Sequence, residues 1–200
     1  MLQYQTVEPA TLELIKKLQS LDELQNARLV GGTALALQIS HRKSVDIDLF
    51  MSNTVDVNDL LAAIQTVIND VVLLSSSRTM RFLRVNNVNV DVVTYPYKWI
   101  DEPVIEDGIR LASMKDIAAM KISAITNRGT KKDFIDLYFL LQHFTFQEII
   151  ELYKTKYPDA IMFTTLKSLV YFDDAEPEPM PYMLKDVSWG QIKSTISKLV

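Results

Sequence analysis

The chain contains no cysteine. That absence removes disulfides, thiolate metal sites and a cysteine nucleophile together, and it accords with a reducing compartment. Histidine is nearly as scarce: His41 and His143 are the two in the chain and lie far apart, so an imidazole metal site has little to build on. No stretch approaches the ~18 uninterrupted apolar residues that a spanning helix requires. The first twenty residues also lack the basic-then-apolar layout of a secretion signal, so the expectation is a cytoplasmic protein with no membrane partner. Internal repeats and low-complexity tracts are missing too, which sets solenoids aside. The charge balance, 21 Lys and Arg against 25 Asp and Glu, leaves a net −4. This excludes coating nucleic acid by bulk electrostatics, though not a local basic groove.

What is present suits an ordinary globular domain. At 200 residues, 48% hydrophobic and 23% charged, the chain can bury a core without a staple. Leu12, Ile15, Leu18 and Leu21 recur at helical spacing and predict a helix from Thr11 to Leu24. A short apolar approach, Arg28-Leu-Val, ends in Gly31-Gly32-Thr33, and a short helix is expected from Ala34 to Ile39. Val45 to Phe50 alternates apolar and acidic residues and reads as a strand. Asp59 to Ile68 reads as a helix. Arg81 to Val85 and Val88 to Thr94 read as strands joined by Asn86-Asn87, a hairpin signal because Asn tolerates positive φ. Ser113 opens a capping-box helix to Asn127 that Gly129 would close, and Thr130-x-x-Asp133 opens another to His143. Helices are also expected over Phe146 to Tyr157 and Trp189 to Leu199, with the proline-rich, acidic Tyr171 to Met183 as a loop or wrapping arm. Strands and helices mix in residues 1–105, and helices dominate 106–200. The expectation is an α/β core with a helical carboxyl-terminal part, either two units or one continuous domain.

Several residue types point to chemistry. Asp46 and Asp48 sit two apart on a strand and leave the same face. Adjacent carboxylates repel unless a cation lies between them, and oxygen ligands at this spacing suit magnesium. A polar strand edge in water remains the other reading. Asp91, among valines in VNVDVV, is unusual for an inner strand unless paired or metal-bound. On a strand beside VDIDLF it would complete a three-carboxylate site; on an edge strand it would simply face water. Gly31-Gly32-Thr33 precedes a helix, where close backbone approach and free N–H groups favour a phosphate, unless Thr33 only caps that helix. Arg42, in His41-Arg42-Lys43, could grip phosphate in a bidentate way or belong to a solvated loop. Lys121, in the apolar AAMKISAI, shares a helical stripe with Arg128; it either binds triphosphate or snorkels to water. Asp133 could serve its capping box, and Asp136 could pair with Lys132.

Taken in order, GGTALALQISHRKSVDIDLF, VNVDVV and MKISAITNRGTKKDFIDLYFLL resemble the AbiEii/AbiGii-type nucleotidyltransferases, a bacterial family of abortive-infection and toxin–antitoxin systems. The resemblance covers roughly Arg28 to Leu141, and the tail YFDDAEPEPMPYML with Trp189 is similar to shorter members. It implies an α+β fold: a small mixed-sheet core like that of DNA polymerase β, with a helical carboxyl-terminal part. It further implies magnesium (Mg2+) on Asp46 and Asp48 with Asp91 as third acid, and triphosphate held by Gly31, Gly32 and Thr33. Lys121 matches the family's helical lysine, and Arg128, Lys132, Asp133 and Asp136 match its R-x3-KD-x2-D block. The expected partners are a nucleoside triphosphate, an acceptor that could be tRNA or other RNA, and a cognate antitoxin. A non-catalytic partner-binding protein and a small-molecule, antibiotic-type nucleotidyltransferase are the alternatives.

Overall fold

The computed structural model describes every residue from Met1 to Val200. Seven strands form one sheet: β1 (Arg28–Leu29), β2 (Ile47–Met51), β3 (Val71–Ser76), β4 (Met80–Val85), β5 (Val88–Thr94), β6 (Val104–Glu106) and β7 (Ile109–Leu111). The order across it is β3-β4-β5-β2-β1-β7-β6. Pairs β2–β5 and β1–β7 are parallel and the others antiparallel, so the sheet is mixed. Eight helices accompany it: α1 (Pro9–Gln19), α2 (Gly31–Ile39), α3 (Val57–Val67), α4 (Met114–Asn127), α5 (Lys131–Leu140), α6 (Phe146–Lys156), α7 (Met162–Leu169) and α8 (Trp189–Ser197). No helix is long and apolar enough to cross a membrane.

Local chemistry accounts for most of these elements. In β2 the residues Ile47, Leu49 and Met51 are fully buried, while Asp48 and Phe50 on the opposite face are half-buried, as strand alternation demands. The β4–β5 hairpin turns at Asn86 and Asn87, both at positive φ (47° and 63°), the left-handed conformation that Asn adopts most readily among side-chain-bearing residues. At the start of α4 the Ser113 hydroxyl accepts the Asp116 N–H at 3.0 Å. Gly129 (φ +54°) ends the helix by donating its N–H to the Ala124 carbonyl.

The differences from expectation are also physical. Helix α2 begins at Gly31, so Gly31, Gly32 and Thr33 are its first turn rather than a loop before it. Strand β3 carries Val-Val-Leu-Leu without alternation, on a sheet edge with both faces largely exposed; no period-two signal announces it. The three-residue strands β6 and β7 and the two-residue β1 are too short to leave a pattern. Their pairing extends the sheet through Leu111. Helix α7 lies in a segment assigned no element by periodicity.

One continuous core joins α1, α2, the sheet, α4, α5 and α8, through residues such as Leu18, Leu35, Leu49, Ile122, Phe134 and Ile192. The carboxyl-terminal arm does wrap. Phe134 holds it by packing on Phe172 at 4.9 Å and Trp189 at 6.0 Å between ring centroids. Further along, Lys43 donates its N–H to the Tyr182 carbonyl, and Leu184 donates to that of His41. Deleting the fully buried Phe134 ring therefore acts on both core and arm. Phe134→Ala is expected to lower unfolding free energy by about 3–5 kcal/mol in urea titration. Under native conditions it should open the segment after Phe172 to limited proteolysis; unchanged cleavage there would show that the ring does not anchor the arm.

Candidate active site

Strand β2 lies parallel to β5 with Asp48 directly beside Asp91. Side chains at paired positions leave the same face, so the two carboxylates stand together although more than forty residues separate them in sequence. Neither takes a hydrogen bond from the protein. Burial, then the charge of Asp91, pushes the Asp48 carboxyl up from 3.8 to about 6, with Asp46 adding to the repulsion. Burial and Asp46 likewise raise Asp91. Lys121 and Arg128 oppose the shift at Asp48, and Arg128 opposes it at Asp91. Asp46 lies one residue before β2, where the amide of Asn89 donates to it at 3.3 Å. As the side chains stand, the three acids do not converge closely enough to form a metal-holding group, in line with the mutual repulsion of like charges.

The glycines meet this face closely. Gly31 has φ +68°, and a Cβ there would collide with Asp48 Oδ2. A Cβ on Gly32 would strike the Arg42 guanidinium, which lies beneath the first turn of α2. Thr33 is buried; its hydroxyl accepts from that of Ser44 at 2.9 Å and donates to the Asp46 carbonyl. That hydroxyl fastens the Asp46 loop to the helix, and nothing of it faces outward for a phosphate.

Behind the glycines runs a buried ionic network. Asp136 accepts from Arg42 Nε and Nη2 at 2.7 and 2.9 Å, contacts His41 Nε2 at 2.7 Å and pairs with Lys121 Nζ at 2.6 Å. Lys121 Nζ also pairs with Asp133 Oδ1 at 2.9 Å. Asp133 in turn accepts from Arg128 Nε at 2.9 Å, Arg128 Nη2 at 3.2 Å and the Thr130 hydroxyl at 2.8 Å. Burial alone would raise both acids, but Arg42 and Lys121 hold Asp136 well below the carboxylate range, and Lys121 and Arg128 do the same for Asp133. Burial would lower Lys121, and Asp136 with Asp133 reverses that.

These contacts relocate several sequence-predicted residues. Arg42 is committed to Asp136, which therefore does not pair with Lys132; Lys132 is exposed on the outer side of α5. Its neighbour Lys131 is the buried one, with Nζ on the carbonyls of Glu176 and Glu178. Lys121 is buried and doubly paired rather than snorkelling. Arg128 differs: its side chain is 65% exposed and anchored from behind by Asp133, which leaves Nη1 uncommitted.

Sequence reasoning missed His41 as a partner of Asp136 and the fully buried Lys156–Asp116 pair at 2.7 Å. Adjacency to Arg42 was a usable signal for His41. Nothing in the sequence links Lys156 to Asp116, whose spacing from Ser113 marked it only as a cap.

Gly31, Asp48, Lys121 and Arg128 share a cleft of about 350 Å³, walled by Phe50, Tyr95, Tyr97 and Tyr157 among others. It presents unpartnered carboxylate, exposed guanidinium and the N–H groups of a helix start in one depression, a combination able to bind a metal-complexed polyphosphate. The network beneath sets its shape. Asp136→Ala leaves three cationic or donor groups buried without their partner, so we expect a loss of about 3–5 kcal/mol by urea denaturation; a loss under 1 kcal/mol would remove Asp136 as the keystone.

Comparison with known proteins agrees with this geometry. The family described as nucleotidyl transferase AbiEii toxin, type IV toxin–antitoxin system, matches residues 16–198. An uncharacterised protein of Aquifex aeolicus (strain VF5) is 36% identical over 172 residues, 83% of each chain. Among solved structures, the nucleotidyltransferase toxin MenT4 of Mycobacterium tuberculosis H37Rv superposes with TM-score 0.60 at 12% identity, over 94% of this chain and 80% of MenT4. JHP933 of Helicobacter pylori gives 0.54 at 18%, over 100% and 90%. The antibiotic-resistance factor ANT(2'')-Ia gives 0.53 at 16%, over 72% and 89%. These structural likenesses establish a shared fold, and the match along the sequence establishes more: the chain belongs to the AbiEii nucleotidyl transferase toxin family and is a nucleotidyltransferase.

Proposed function

We propose that the enzyme moves a nucleoside monophosphate from a nucleoside triphosphate to an acceptor hydroxyl or phosphate on RNA, with magnesium held by Asp46, Asp48 and Asp91. The observation that carries this reading is the in-register Asp48–Asp91 pair, partnerless and half-buried, of which Asp48 lines the cleft. An all-oxygen donor set of this kind fits magnesium, which commonly takes carboxylates together with substrate phosphates. When bound, the ion would supply Lewis-acid polarisation of the α-phosphate and neutralise charge.

The chain's own groups do the remainder. The first-turn amides at Gly31 and Gly32 approach the phosphates, and the exposed Arg128 guanidinium faces the charge that develops on the departing pyrophosphate. Asp133 holds Arg128, Lys121 bridges Asp133 to Asp136, and Arg42 supports the glycine turn from below. Thr33 keeps Asp46 in place, and Lys132 stays outside the cleft. The acceptor oxygen attacks the α-phosphorus, the bond to the β-phosphate bridging oxygen breaks, and Asp91 takes the acceptor's proton where that oxygen carries one. The setting would be the cytoplasm, with a cognate antitoxin as protein partner, in keeping with the family's description.

Incubation with α-labelled triphosphates, magnesium and total cellular RNA tests this directly. Label should move to RNA with wild type and fall about 100-fold or more with Asp46→Ala or Asp48→Asn. Transfer that survives both substitutions would defeat the assigned roles, and label arriving only on small molecules would replace the acceptor class.

Protonation supplies a second check. Because the folded-state value of Asp48 (about 6) lies above its ordinary 3.8, the native state holds this proton more tightly than the unfolded chain. Stability of the metal-free protein should therefore fall as pH rises from about 4 through about 6, by at most about 3 kcal/mol. Asp48→Asn should flatten that decline in denaturation carried out with a chelator. Magnesium should stabilise wild type at pH 7 and leave the variant unmoved.

A further inference from the structure

The cleft at Asp48 does not end at its tyrosines. Tyr97, Ser123, Asn127 and Tyr157 belong both to its lining and to that of a second cavity of about 330 Å³, which runs on towards Asp159, Thr164 and Thr165. The shared wall is preorganised. Tyr97 meets Tyr157 edge-on at 4.6 Å between centroids, and the Tyr157 hydroxyl is hydrogen-bonded to that of Tyr95 at 2.6 Å. Tyr97 itself is 42% exposed, so part of its ring is open to a ligand.

The polar groups of this cavity have an uneven character. The Thr126 hydroxyl donates to the Ile122 carbonyl at 2.9 Å, and that of Thr165 to the Ile161 carbonyl at 3.3 Å. The Asn127 amide nitrogen donates to the Ser123 carbonyl at 2.8 Å. These donors are spent on α4 and α7 themselves. What stays open with fixed polarity is acceptor: the Asn127 Oδ1 and the Asp159 carboxylate. The Ser123 and Thr164 hydroxyls can turn to either role.

We propose that this second cavity receives the nucleobase of the incoming triphosphate, stacked on Tyr97 beside Tyr157, and that Asn127 and Asp159 select bases whose edge carries an amino group. The inference rests on the nucleotidyl-transfer reading of the Asp48 cleft and adds to it the recognition of the base. Any base stacks on a tyrosine, so the aromatic wall confers affinity without choice. Selection comes from the edge. The amino groups of adenine, cytosine and guanine donate to a carboxylate or amide oxygen, whereas uracil has no amino group and sets two carbonyl oxygens around its single N–H. Facing Asp159 and Asn127 Oδ1, those carbonyls meet acceptors and must look to rotatable hydroxyls such as Ser123 and Thr164 for a donor, a mismatch that weakens uracil relative to the amino-bearing bases.

Isothermal titration of ATP, CTP, GTP, UTP and inorganic tripolyphosphate in magnesium tests this, using wild type, Tyr97→Ala and Asp159→Asn. Both substituted side chains are exposed, so the fold is expected to survive. UTP should bind wild type roughly tenfold or more weaker than the best amino-bearing nucleotide. Tyr97→Ala should weaken all four nucleotides roughly tenfold while leaving tripolyphosphate unchanged. Asp159→Asn should narrow the gap between UTP and the others, because the new amide can donate. UTP binding as tightly as the best of the others would overturn the selection rule. Nucleotide binding untouched by both substitutions, with transfer to RNA lost, would reassign the cavity to the acceptor. A wild type that binds neither tripolyphosphate nor any nucleotide would bring down the transferase reading of the cleft, and this inference with it.

Discussion

Asp136 is fully buried and sits where three separate stretches of chain converge. It brings together α5, the lysine of α4 and the His41–Arg42 turn that leads into the acidic strand. A lone carboxylate at that depth would be driven to take up a proton. Held by Arg42 and Lys121, it stays ionised and turns a desolvation cost into a geometric constraint. Everything the cleft needs hangs from this arrangement. Arg42 supports the Gly32 turn, Lys121 passes the constraint on to Asp133, and Asp133 aims Arg128. The carboxyl-terminal arm closes over the same turn through Tyr182 and Leu184.

Against this fully compensated network stands its opposite, the uncompensated pair Asp48 and Asp91. The two arrangements lie back to back across the first turn of α2, and the contrast between them separates scaffold from site. Where the protein satisfies its own buried charges, the carboxyl groups are pushed down. Where it leaves them unsatisfied, they are pushed up. Perturbation of the second kind, beside an exposed guanidinium, is what the magnesium proposed for these carboxylates would relieve.

Much of this was legible in the residues. The Asn-Asn hairpin and the caps at Ser113 and Gly129 each express a local rule that the structure follows, and the alternation of VDIDLF holds from Ile47 onward, with Asp46 and the exposed Val45 lying before β2. Local rules were silent on β3, β6 and β7, whose partners are supplied by distant chain, and on α7. They misplaced the start of α2 because two glycines read as a turn, although in a first turn Gly31 admits the Asp48 carboxylate and Gly32 the Arg42 guanidinium. Thr33, Arg42 and Lys121 were recognised as polar groups with a purpose, but their burial reverses the direction in which they act. Each holds a neighbouring part of the site instead of reaching outward.

Taken by itself, the sequence determined the inventory. It supplied oxygen donors and no thiolates, glycines where a helix start must admit a close neighbour, and Asp48 on the strand face opposite Ile47 and Leu49, since strand parity depends on nothing beyond the chain itself. Tertiary structure decided which of those groups meet. The parallel register of β2 on β5 sets Asp91 beside Asp48 rather than Asp46, and the packing of α4 against α5 gives Lys121 to the interior and Arg128 to the cleft. Both choices rest on contacts between residues far apart in the chain, where periodicity carries no information and only the combined burial and pairing of the whole fold selects one arrangement.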